Sequence, residues 1–408
     1  MQLIDYLRLM AQRRASDLFL SVGAPPALKI EGETEPLPLP PLDAASVQAL
    51  ATAIMSERQQ REFEQTLEMN LALAPPEIGR FRVNVYRQRG EVGIAIRYLS
   101  SQIPSLAALN LPPVLGDLVL LPRGLVLVVG STGSGKSTTL AAMIDKRNRE
   151  RTGHILTIED PIEYLHQHRR SIVDQREVGL DTLSYANALK NAMREAPDVI
   201  MIGEIRDRET MQHAIAYAET GHLCLSTLHA NNANQTLDRI INFFPDDARH
   251  QLLVDLSMNL KAVVSQRLLR GLDGRRVPAV EILLQTPYVS DLILKGEIGQ
   301  LKEAMKQGVS RGMQTFDESL FRMVRAGKIS QEEALQHADS RTDLSLRLRL
   351  SGPVAGEQGA EDGGLAMEPT EEERRAQETD PGWIDGQPHR RAGDEGVAPP
   401  PPPPRRTR

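Results

Sequence analysis

Residues 125–139 read LVLVVGSTGSGKSTT, and this stretch decides the fold. The part from Gly130 to Thr138 matches the phosphate-binding loop pattern G-x-x-x-x-G-K-[ST] in full. An apolar strand precedes the loop and a helix is expected to begin at Lys136, which is the context that the pattern requires. Glycines let the backbone wrap a phosphate, and N–H groups at a helix start point at the anion. The stretch therefore predicts a nucleotide site.

The polar side chains of this loop have expected roles with ATP and Mg²⁺, the two cofactors that the motif predicts. Lys136 adds a positive charge at the β- and γ-phosphates, and the Ser137 hydroxyl is expected to bind Mg²⁺. The other residues expected to surround the phosphates are Gly130, Ser131, Thr132, Gly133, Ser134, Gly135 and Thr138.

Residues 111–245 alternate apolar β runs with helical stretches. Helices are expected to begin at Lys136, Thr182 and Arg208. The candidate strands are Leu125–Val129, Ile155–Ile158, Val199–Ile202 and Leu223–Ser226. Such βαβ alternation predicts an α/β fold with a parallel sheet covered on both faces, and it places ligands at the carboxyl ends of the strands.

Carboxylates follow two of these strands. Glu159, Asp160 and Glu163 lie in ILTIEDPIEY, where they are candidates to orient water or hold the water shell of a metal ion. An acidic turn that is only solvated explains this stretch equally well. Glu204 ends the apolar run in DVIMIGEIRD, where P-loop enzymes place the acidic residue that works with Mg²⁺ and the attacking water. No aspartate ends this strand, so contact with Mg²⁺ through water is the expectation for Glu204.

The fourth strand lies between two histidines in TGHLCLSTLHANN. His229 leaves the same sheet edge as the acidic residues and is a candidate to contact the γ-phosphate, with a structural role as the alternative. His222, seven residues earlier, has the weaker case. Cys224 is the single cysteine, which excludes a disulfide within the chain, and its apolar neighbours favour a buried core residue over a reactive thiol.

Residues 1–110 predict a smaller α+β domain. An amphipathic helix in MQLIDYLRLMAQRR precedes strands in DLFLSV and ALKIEG, and a helix is expected near 43–65. RFRVNVY and EVGIAIRY alternate apolar and polar residues, which predicts a hairpin with arginines, including Arg82 and Arg97, on its polar face. A solvated sheet face explains these arginines as well as a binding role does.

The remainder of the chain divides near residue 352. Residues 246–352 are expected to be α-rich, with one strand at Val277–Leu284. Residues 353–408 carry 12 acidic against 7 basic side chains and 10 of the 27 prolines, which predicts a disordered tail that includes Trp383, the only tryptophan.

Charge and hydropathy argue against two function classes. The net charge is −6, and most of it comes from the tail, so the rest of the chain lacks the basic excess of a nucleic-acid binder. No apolar run approaches the ~20 residues that a membrane-spanning helix needs. We therefore expect no nucleic-acid partner and no membrane span.

Four of these stretches, in this order, resemble the type IV pilus retraction ATPases, which are the PilT/PilU family of secretion ATPases. STGSGKST resembles their Walker A motif, TIEDPIEY their Asp box, DVIMIGEIRD their atypical Walker B motif and TGHLCLSTLHANN their His box. The similarity covers about residues 1–350. It implies a PAS-like N-terminal domain over 1–110, a RecA-like ATPase core over 111–245 with an α-rich C-terminal part, and a homo-hexameric ring that binds ATP between subunits.

The resemblance also implies residue roles. Glu163 and Glu204 match the catalytic acidic residues, and His229 matches a γ-phosphate contact. Arg82 and Arg97 are similar to arginines that the family brings toward the nucleotide. Further arginine candidates are Arg194, Arg206 and Arg208.

Two features narrow the resemblance. The four-cysteine zinc element typical of assembly ATPases needs more than one cysteine, which favours retraction. SDLILKGEIGQLKEAMKQ and GMQTFDESLFRMVRAGKISQEEALQHADS resemble the PilU branch. That branch implies a PilT-type paralogue and an inner-membrane platform protein as partners, and a cytoplasmic position at the pilus base. A RecA-like nucleic-acid motor and an accessory ring subunit with dispensable hydrolysis are the alternatives.

Overall fold

A computed structural model describes residues 2–30, 32–99 and 102–351. The tail predicted over 353–408, with Trp383, lies outside the described residues. In the described ranges, no helix is both long enough and apolar enough to cross a membrane.

The N-terminal part is a six-stranded antiparallel sheet with three helices. Its elements are α1 (Leu3–Arg13), β1 (Asp17–Ser21), β2 (Ala27–Ile30), β3 (Glu33–Pro36), α2 (Ala44–Ile54), α3 (Glu57–Thr66), β4 (Glu68–Leu73), β5 (Arg80–Gln88) and β6 (Glu91–Leu99). The strands lie in the order β3-β2-β1-β6-β5-β4, so the predicted hairpin β5–β6 is confirmed and occupies the interior of the sheet. Its alternate apolar residues, Phe81, Val83 and Val85, are fully buried because successive side chains point to opposite faces.

The helix expected near 43–65 is in fact two helices. The chain leaves helical geometry at Met55, and Ser56 then starts α3 as its N-cap. The Ser56 hydroxyl accepts a hydrogen bond from Gln59 N, while the Gln59 side chain accepts one from Ser56 N. The start of a helix leaves N–H groups without partners within the helix, and this capping box gives two of them an acceptor. A second helix can therefore begin directly after the first one ends.

The next part of the chain begins with α4 (Val114–Val119) and contains the second sheet and the phosphate-binding loop. Its first half comprises β7 (Gly124–Val129), α5 (Lys136–Glu150), β8 (Gly153–Glu159), β9 (Ser171–Glu177), α6 (Tyr185–Ala192), β10 (Val199–Ile202), α7 (Arg208–Glu219) and β11 (Leu223–Leu228). All four strands expected here are confirmed. Helix α6 begins three residues later than predicted because Ser184 caps it, accepting a hydrogen bond from Asn187 N.

The chain then continues through the same sheet and ends in helices. The elements are α8 (Ala233–Asn242), α9 (Arg249–Asn259), β12 (Leu260–Arg270), β13 (Arg276–Leu284), α10 (Pro287–Lys295), α11 (Leu301–Gln307), α12 (Phe316–Arg325), α13 (Gln331–His337) and α14 (Arg341–Leu350). The strand order is β13-β12-β7-β11-β10-β8-β9. Every pair is parallel except β12–β13.

Two strands of this sheet were not predicted. Strand β9 reads SIVDQRE and lies at an edge of the sheet, where most of its side chains are polar. Strand β12 lies beside β7, so the prediction that residues 246–352 contain a single strand is wrong. Its polar Ser265 and Gln266 break the apolar pattern, yet both are buried because their side chains find hydrogen-bond partners in other elements.

The sheet order places the residues expected to bind nucleotide at the carboxyl ends of the strands. Strands β7, β8, β10 and β11 run parallel, so their carboxyl ends meet, and the phosphate-binding loop, the acidic stretches and His229 all follow those ends. Cys224 is fully buried in β11, and burial raises the pKa of its thiol, which confirms the prediction of a core residue.

Candidate nucleotide-binding site

The phosphate-binding loop links β7 to α5 with the backbone that the motif requires. Gly130 has a positive φ of 155°, and a Cβ there would lie 2.4 Å from Ser134 Oγ and 2.5 Å from Gln266 O, so a side chain has no room. Gly135 is the N-cap of α5 and has a φ of 90°, in the left-handed region. Ser134 Oγ is buried and has no hydrogen-bond partner among the described residues. An orphaned polar atom inside this loop fits a site built to receive a polar ligand.

Lys136 lies at the base of the loop and is almost fully buried. Its Nζ donates hydrogen bonds to Gly130 O at 3.0 Å and to Ser131 O at 2.9 Å. Burial lowers the pKa of Lys136, while the charges of Glu204 and Glu163 act in the opposite direction. The two carboxylates keep the ammonium group charged, and because burial leaves it poorly solvated, an anion that replaces the lost solvation would bind there favourably.

A cavity of about 230 Å³ opens beside Lys136. Among the residues that line it are Thr132, Gly133, Ser137, Glu159, Glu163, Glu204 and His229. The structure thus brings together the phosphate-binding loop and the polar ends of three further strands. Gly130 and Ser131 line the neighbouring space on the other side of the loop, and Thr138 Oγ1 pairs with Tyr164 Oη at 3.0 Å.

Glu204 is held from two sides. Its Oε1 lies 3.1 Å from His229 Nε2, and its Oε2 accepts a hydrogen bond from Arg206 Nε at 2.7 Å. Arg206 Nη1 also lies 3.7 Å from Asp160 Oδ2, so Arg206 links the segment after β10 to the acidic loop after β8. Burial, then the charge of Lys136, lowers the pKa of His229, so its imidazole is neutral at pH 7.

Gly203, which precedes Glu204, explains why this strand ends differently from the commonest pattern. A Cβ at Gly203 would lie 2.9 Å from Tyr185 Oη and 3.2 Å from Ile158 O. A larger residue at position 203 would therefore push Tyr185 or strand β8 out of place. Tyr185 lines the cavity, and sequence reasoning did not identify it because it lies in a helix start far from any motif.

The acidic loop after β8 contains two carboxylates in different surroundings. Glu159 is buried and accepts hydrogen bonds from Thr157 Oγ1 at 2.6 Å and Gln175 Nε2 at 3.1 Å. Burial raises its pKa to about 7, against the effect of those hydrogen bonds. Glu163 is exposed to the cavity and to solvent. Of the two, Glu163 is thus the carboxylate that is free to meet a ligand.

The hairpin arginines do not line this cavity within one chain. Arg97 Nε donates a hydrogen bond at 2.8 Å to Asp17 Oδ1 in the same sheet. Arg82 lies directly opposite Arg97 in the β5–β6 register, and its charge acts on Glu177 of β9. The sequence left open whether these side chains are solvated or bind a ligand, and both remain predictions.

The three further arginine candidates differ in whether they reach the site. Arg206 lies in the site, as its contacts with Glu204 show. Arg194 Nη1 instead reaches Asn191, and Arg208 stacks over Phe244 with 5.5 Å to the ring centroid.

His222 precedes β11 whereas His229 follows it, so the two histidines lie at opposite ends of that strand. His222 Nδ1 contacts Thr220 Oγ1 at 3.1 Å and Tyr217 O at 3.2 Å. A strand of this length keeps its two ends well apart, which excludes His222 from the cavity around His229.

The sequence also did not predict that Gln266 contacts the start of the helix that follows the phosphate-binding loop. Gln266 of β12 accepts a hydrogen bond through Oε1 from Thr139 Oγ1 at 2.7 Å. No signal in the sequence singled it out, because β12 reads LKAVVSQRLLR and contains several other polar residues. Parallel strands, a glycine-rich loop that opens a helix, a buried lysine and facing carboxylates together define a P-loop ATPase.

Comparison with known proteins gives the family. Residues 47–326 match the family described as type II/IV secretion system protein. The chain is 53% identical to the type IV pilus ATPase PilU of Pseudomonas aeruginosa, over 86% of its own length and 92% of that protein. It is 43% identical to the type IV pilus retraction ATPase PilT of the same organism, over 83% of this chain and 98% of PilT.

Solved structures agree. The crystal structure of the pilus retraction motor PilT with bound ADP matches with a TM-score of 0.80 at 40% identity, covering 85% of this chain and 99% of that one. The chain therefore belongs to the type II/IV secretion system ATPase family, and the resemblance to its PilT/PilU members that the four motifs predicted is confirmed.

Proposed function

We propose that this chain is a ring-forming motor that hydrolyses ATP with Mg²⁺ to drive type IV pilus retraction. One observation supports the chemistry above all: a single cavity is lined by Lys136 and Ser137 on one side and by Glu163 and Glu204 on the other. The names of the two pilus ATPases to which the chain is similar support the use of that chemistry in retraction.

Binding of ATP would begin with an exchange of partners at Lys136. The Nζ group now bonds the carbonyl oxygens of Gly130 and Ser131, which are neutral acceptors. The β- and γ-phosphate oxygens are charged acceptors, so they add an ion-pair attraction that a carbonyl oxygen does not offer to the ammonium group. Lys136 therefore favours the nucleotide over its own loop, and the buried Ser134 hydroxyl gains a partner at the same time.

The residues present fit a magnesium ion beside the nucleotide. Ser137 lines the cavity next to Lys136 and would provide a hydroxyl ligand, and Glu204 faces the same space. The ion, when bound with the phosphates, neutralises charge that develops during phosphoryl transfer. Both oxygens of Glu204 already have protein partners, so its carboxylate acts through a water molecule.

Glu163 is the residue that we expect to orient the attacking water. Its carboxylate is exposed to the cavity, whereas Glu204 is held by His229 and Arg206. Glu159 carries a proton over much of the neutral range because its pKa is about 7. It is also buried and hydrogen-bonded to Thr157 and Gln175, so it is less available than Glu163 to contact the attacking water.

The same comparisons favour a PilU-type role. Identity to PilU exceeds identity to PilT of the same organism by ten percentage points. We accordingly propose a hexameric ring, a PilT-type paralogue and an inner-membrane platform protein as partners, and a cytoplasmic position at the pilus base. No observation on the described residues supports a nucleic-acid motor, and the two relatives named above are pilus ATPases.

The test measures hydrolysis and retraction together. Glu163→Gln removes the charge that orients water and keeps the shape, so the purified chain should bind ATP normally and lose turnover by about 10² to 10⁴-fold. The matched control is Glu303→Gln, which changes an exposed carboxylate paired with Lys306 on helix α11. In cells that lack the gene, alone and together with a PilT-type paralogue, wild type should restore pilus retraction and Glu163→Gln should not. Full retraction with an inactive chain would instead support an accessory subunit.

A further inference from the structure

Strand β9 contacts the loop that presents Glu163, and it does so on both sides of that residue. Ile162 N, one position before Glu163, donates a hydrogen bond to Glu177 Oε2 at 3.2 Å. One position after it, Tyr164 O accepts a hydrogen bond from Gln175 Nε2 at 2.9 Å. The two backbone groups that flank Glu163 are thus each fixed by a side chain of the same strand.

Gln175 makes further contacts that hold the loop in place. Its Oε1 accepts a hydrogen bond from His166 N at 2.8 Å, and its Nε2 also donates to Glu159 Oε1 at 3.1 Å. One side chain therefore joins the end of β8, where Glu159 lies, to two points of the loop that follows it. Such a bridge removes the freedom that a surface loop otherwise has.

The geometry of the strand explains why these two residues act together. Positions 175 and 177 are two apart, so their side chains point to the same face of β9. Glu177 is almost fully buried. Burial raises the pKa of its carboxyl, while the Ile162 hydrogen bond and the charges of Arg82 and Arg80 favour the ionised form. The acceptor that holds Ile162 thus has cationic side chains of the N-terminal sheet near it.

The loop is connected to the phosphate-binding loop as well. Tyr164 Oη pairs with Thr138 Oγ1 at 3.0 Å, and Thr138 follows Ser137 directly. A displacement of Tyr164 would therefore change both the acidic loop and the phosphate-binding loop beside the nucleotide cavity.

We infer that Gln175 and Glu177 are positioning residues that hold Glu163 at the distance from the nucleotide at which it can orient water. The inference rests on the proposed role of Glu163. Neither residue lines the cavity, so each acts through the loop backbone. Their chemistry requires one acceptor at position 177 and both a donor and an acceptor at position 175.

The experiment is a double-mutant cycle with Glu163. Glu177→Ala removes the acceptor, and a misplacement of about 1 Å can cost 10²-fold in rate, so kcat should fall about 10- to 100-fold while the Kd of a fluorescent ATP analogue changes less than about threefold. Glu177→Gln keeps an oxygen that can accept from Ile162 N and should restore kcat to within about threefold of wild type. In a Glu163→Gln background, Glu177→Ala should cost no further rate in single-turnover measurements.

The matched control is Asp174→Asn on the opposite face of β9, where the carboxylate contacts His154 Nε2 at 3.0 Å. It should leave kcat unchanged. If Glu177→Ala does not fold, Gln175→Met, which keeps the size and removes the donor and acceptor, decides by the same cycle.

The outcomes separate the two proposals. Normal kcat in Glu163→Gln would refute the role of Glu163 itself. Loss of rate in Glu163→Gln but normal kcat in Glu177→Ala and Gln175→Met would overturn the positioning role alone. Losses that simply multiply with that of Glu163→Gln, or an equal loss of ATP affinity, would also overturn it, because they indicate a general structural effect.

Discussion

The imidazole of His229 lies 3.1 Å from the carboxylate of Glu204, across the carboxyl ends of two neighbouring parallel strands. Strands β10 and β11 place these residues side by side although 25 positions separate them in the chain. Arg206 holds the other carboxylate oxygen, so two protein side chains orient Glu204. Preorganised groups of this kind are most effective in the transition state, because they need no rearrangement during the reaction.

Glu204→Ala should therefore spare ATP binding and stop turnover. In the proposed role, Glu204 supports water and Mg²⁺ more strongly in the transition state than in the ground state, so kcat should fall by at least about 10²-fold with little change in ATP affinity. Measuring binding and single-turnover hydrolysis on the same preparation checks this. Glu209→Ala, in the first turn of α7, is a control carboxylate near in sequence. Equal losses of binding and turnover would indicate a ground-state role instead.

Lys136→Ala should abolish hydrolysis and leave the fold intact. The substitution removes the charge at the phosphates, and the two carbonyl groups that Nζ now bonds belong to the loop rather than to the core. Circular dichroism and thermal unfolding check the fold. Lys146→Ala serves as the control on the same helix, because Lys146 pairs with exposed Glu150 at 2.7 Å. Wild-type turnover in Lys136→Ala would refute the site.

Arg97 provides a test of the arginine prediction. If Arg97 acts on the transferring phosphoryl group of a neighbouring subunit, Arg97→Ala should lower turnover by about 10³ to 10⁵-fold with a much smaller change in ATP affinity. Asp17→Ala removes its partner in the sheet but keeps the guanidinium, so turnover should persist in that variant. Mixing Lys136→Ala with Arg97→Ala chains should then restore part of the activity, because some interfaces join an intact loop to an intact arginine.

Subunit exchange and nucleotide occupancy must be measured in the mixed rings, since a ring that needs every subunit would show no recovery. The structural interpretation makes the opposite prediction for the single variants. If Arg97 only pairs with Asp17 on a solvated face, Arg97→Ala alone keeps normal turnover. Arg82→Ala extends the same test to the residue opposite Arg97 in the hairpin.

Glu281→Gln should change how stability depends on pH. Glu281 is buried in β13, where its Oε1 accepts hydrogen bonds from Ala233 N at 2.8 Å and Ser265 Oγ at 3.1 Å. Burial raises its pKa from 4.5 to about 7. Between these two values the folded chain holds a proton that the unfolded chain has lost, so this carboxyl makes the protein less stable as pH rises toward 7 and adds no further change above that.

The amide introduced by Glu281→Gln keeps an acceptor and cannot ionise. From pH 5 to pH 8, the free energy of unfolding of Glu281→Gln relative to wild type should therefore rise, by up to about 3 kcal/mol. Chemical denaturation at the two pH values measures it. The buried Glu159 contributes equally to both chains and cancels, and Glu62→Gln on an exposed helix face is the control. A difference that does not change with pH would show that Glu281 keeps its charge state throughout.

Much of the site could be predicted from the sequence because its motifs are local. The phosphate-binding loop is a contiguous run that joins a strand to a helix, and its glycines and Lys136 have meaning only in that arrangement. Glu163, Glu204 and His229 were identified because each follows an apolar strand, and parallel strands bring such ends together. The existence of strands β7, β8, β10 and β11 and the family resemblance needed no more than this local information.

The tertiary structure alone decided which polar residues support that site. Gln266 lies 127 positions from Thr139 and Gln175 lies 11 from Tyr164, so no spacing rule links the members of either pair. Strands β9 and β12 were missed because their polar side chains break the apolar pattern. Those side chains can be buried there only because other elements provide hydrogen-bond partners, and such compensation depends on the folded neighbours of a residue rather than on its own segment.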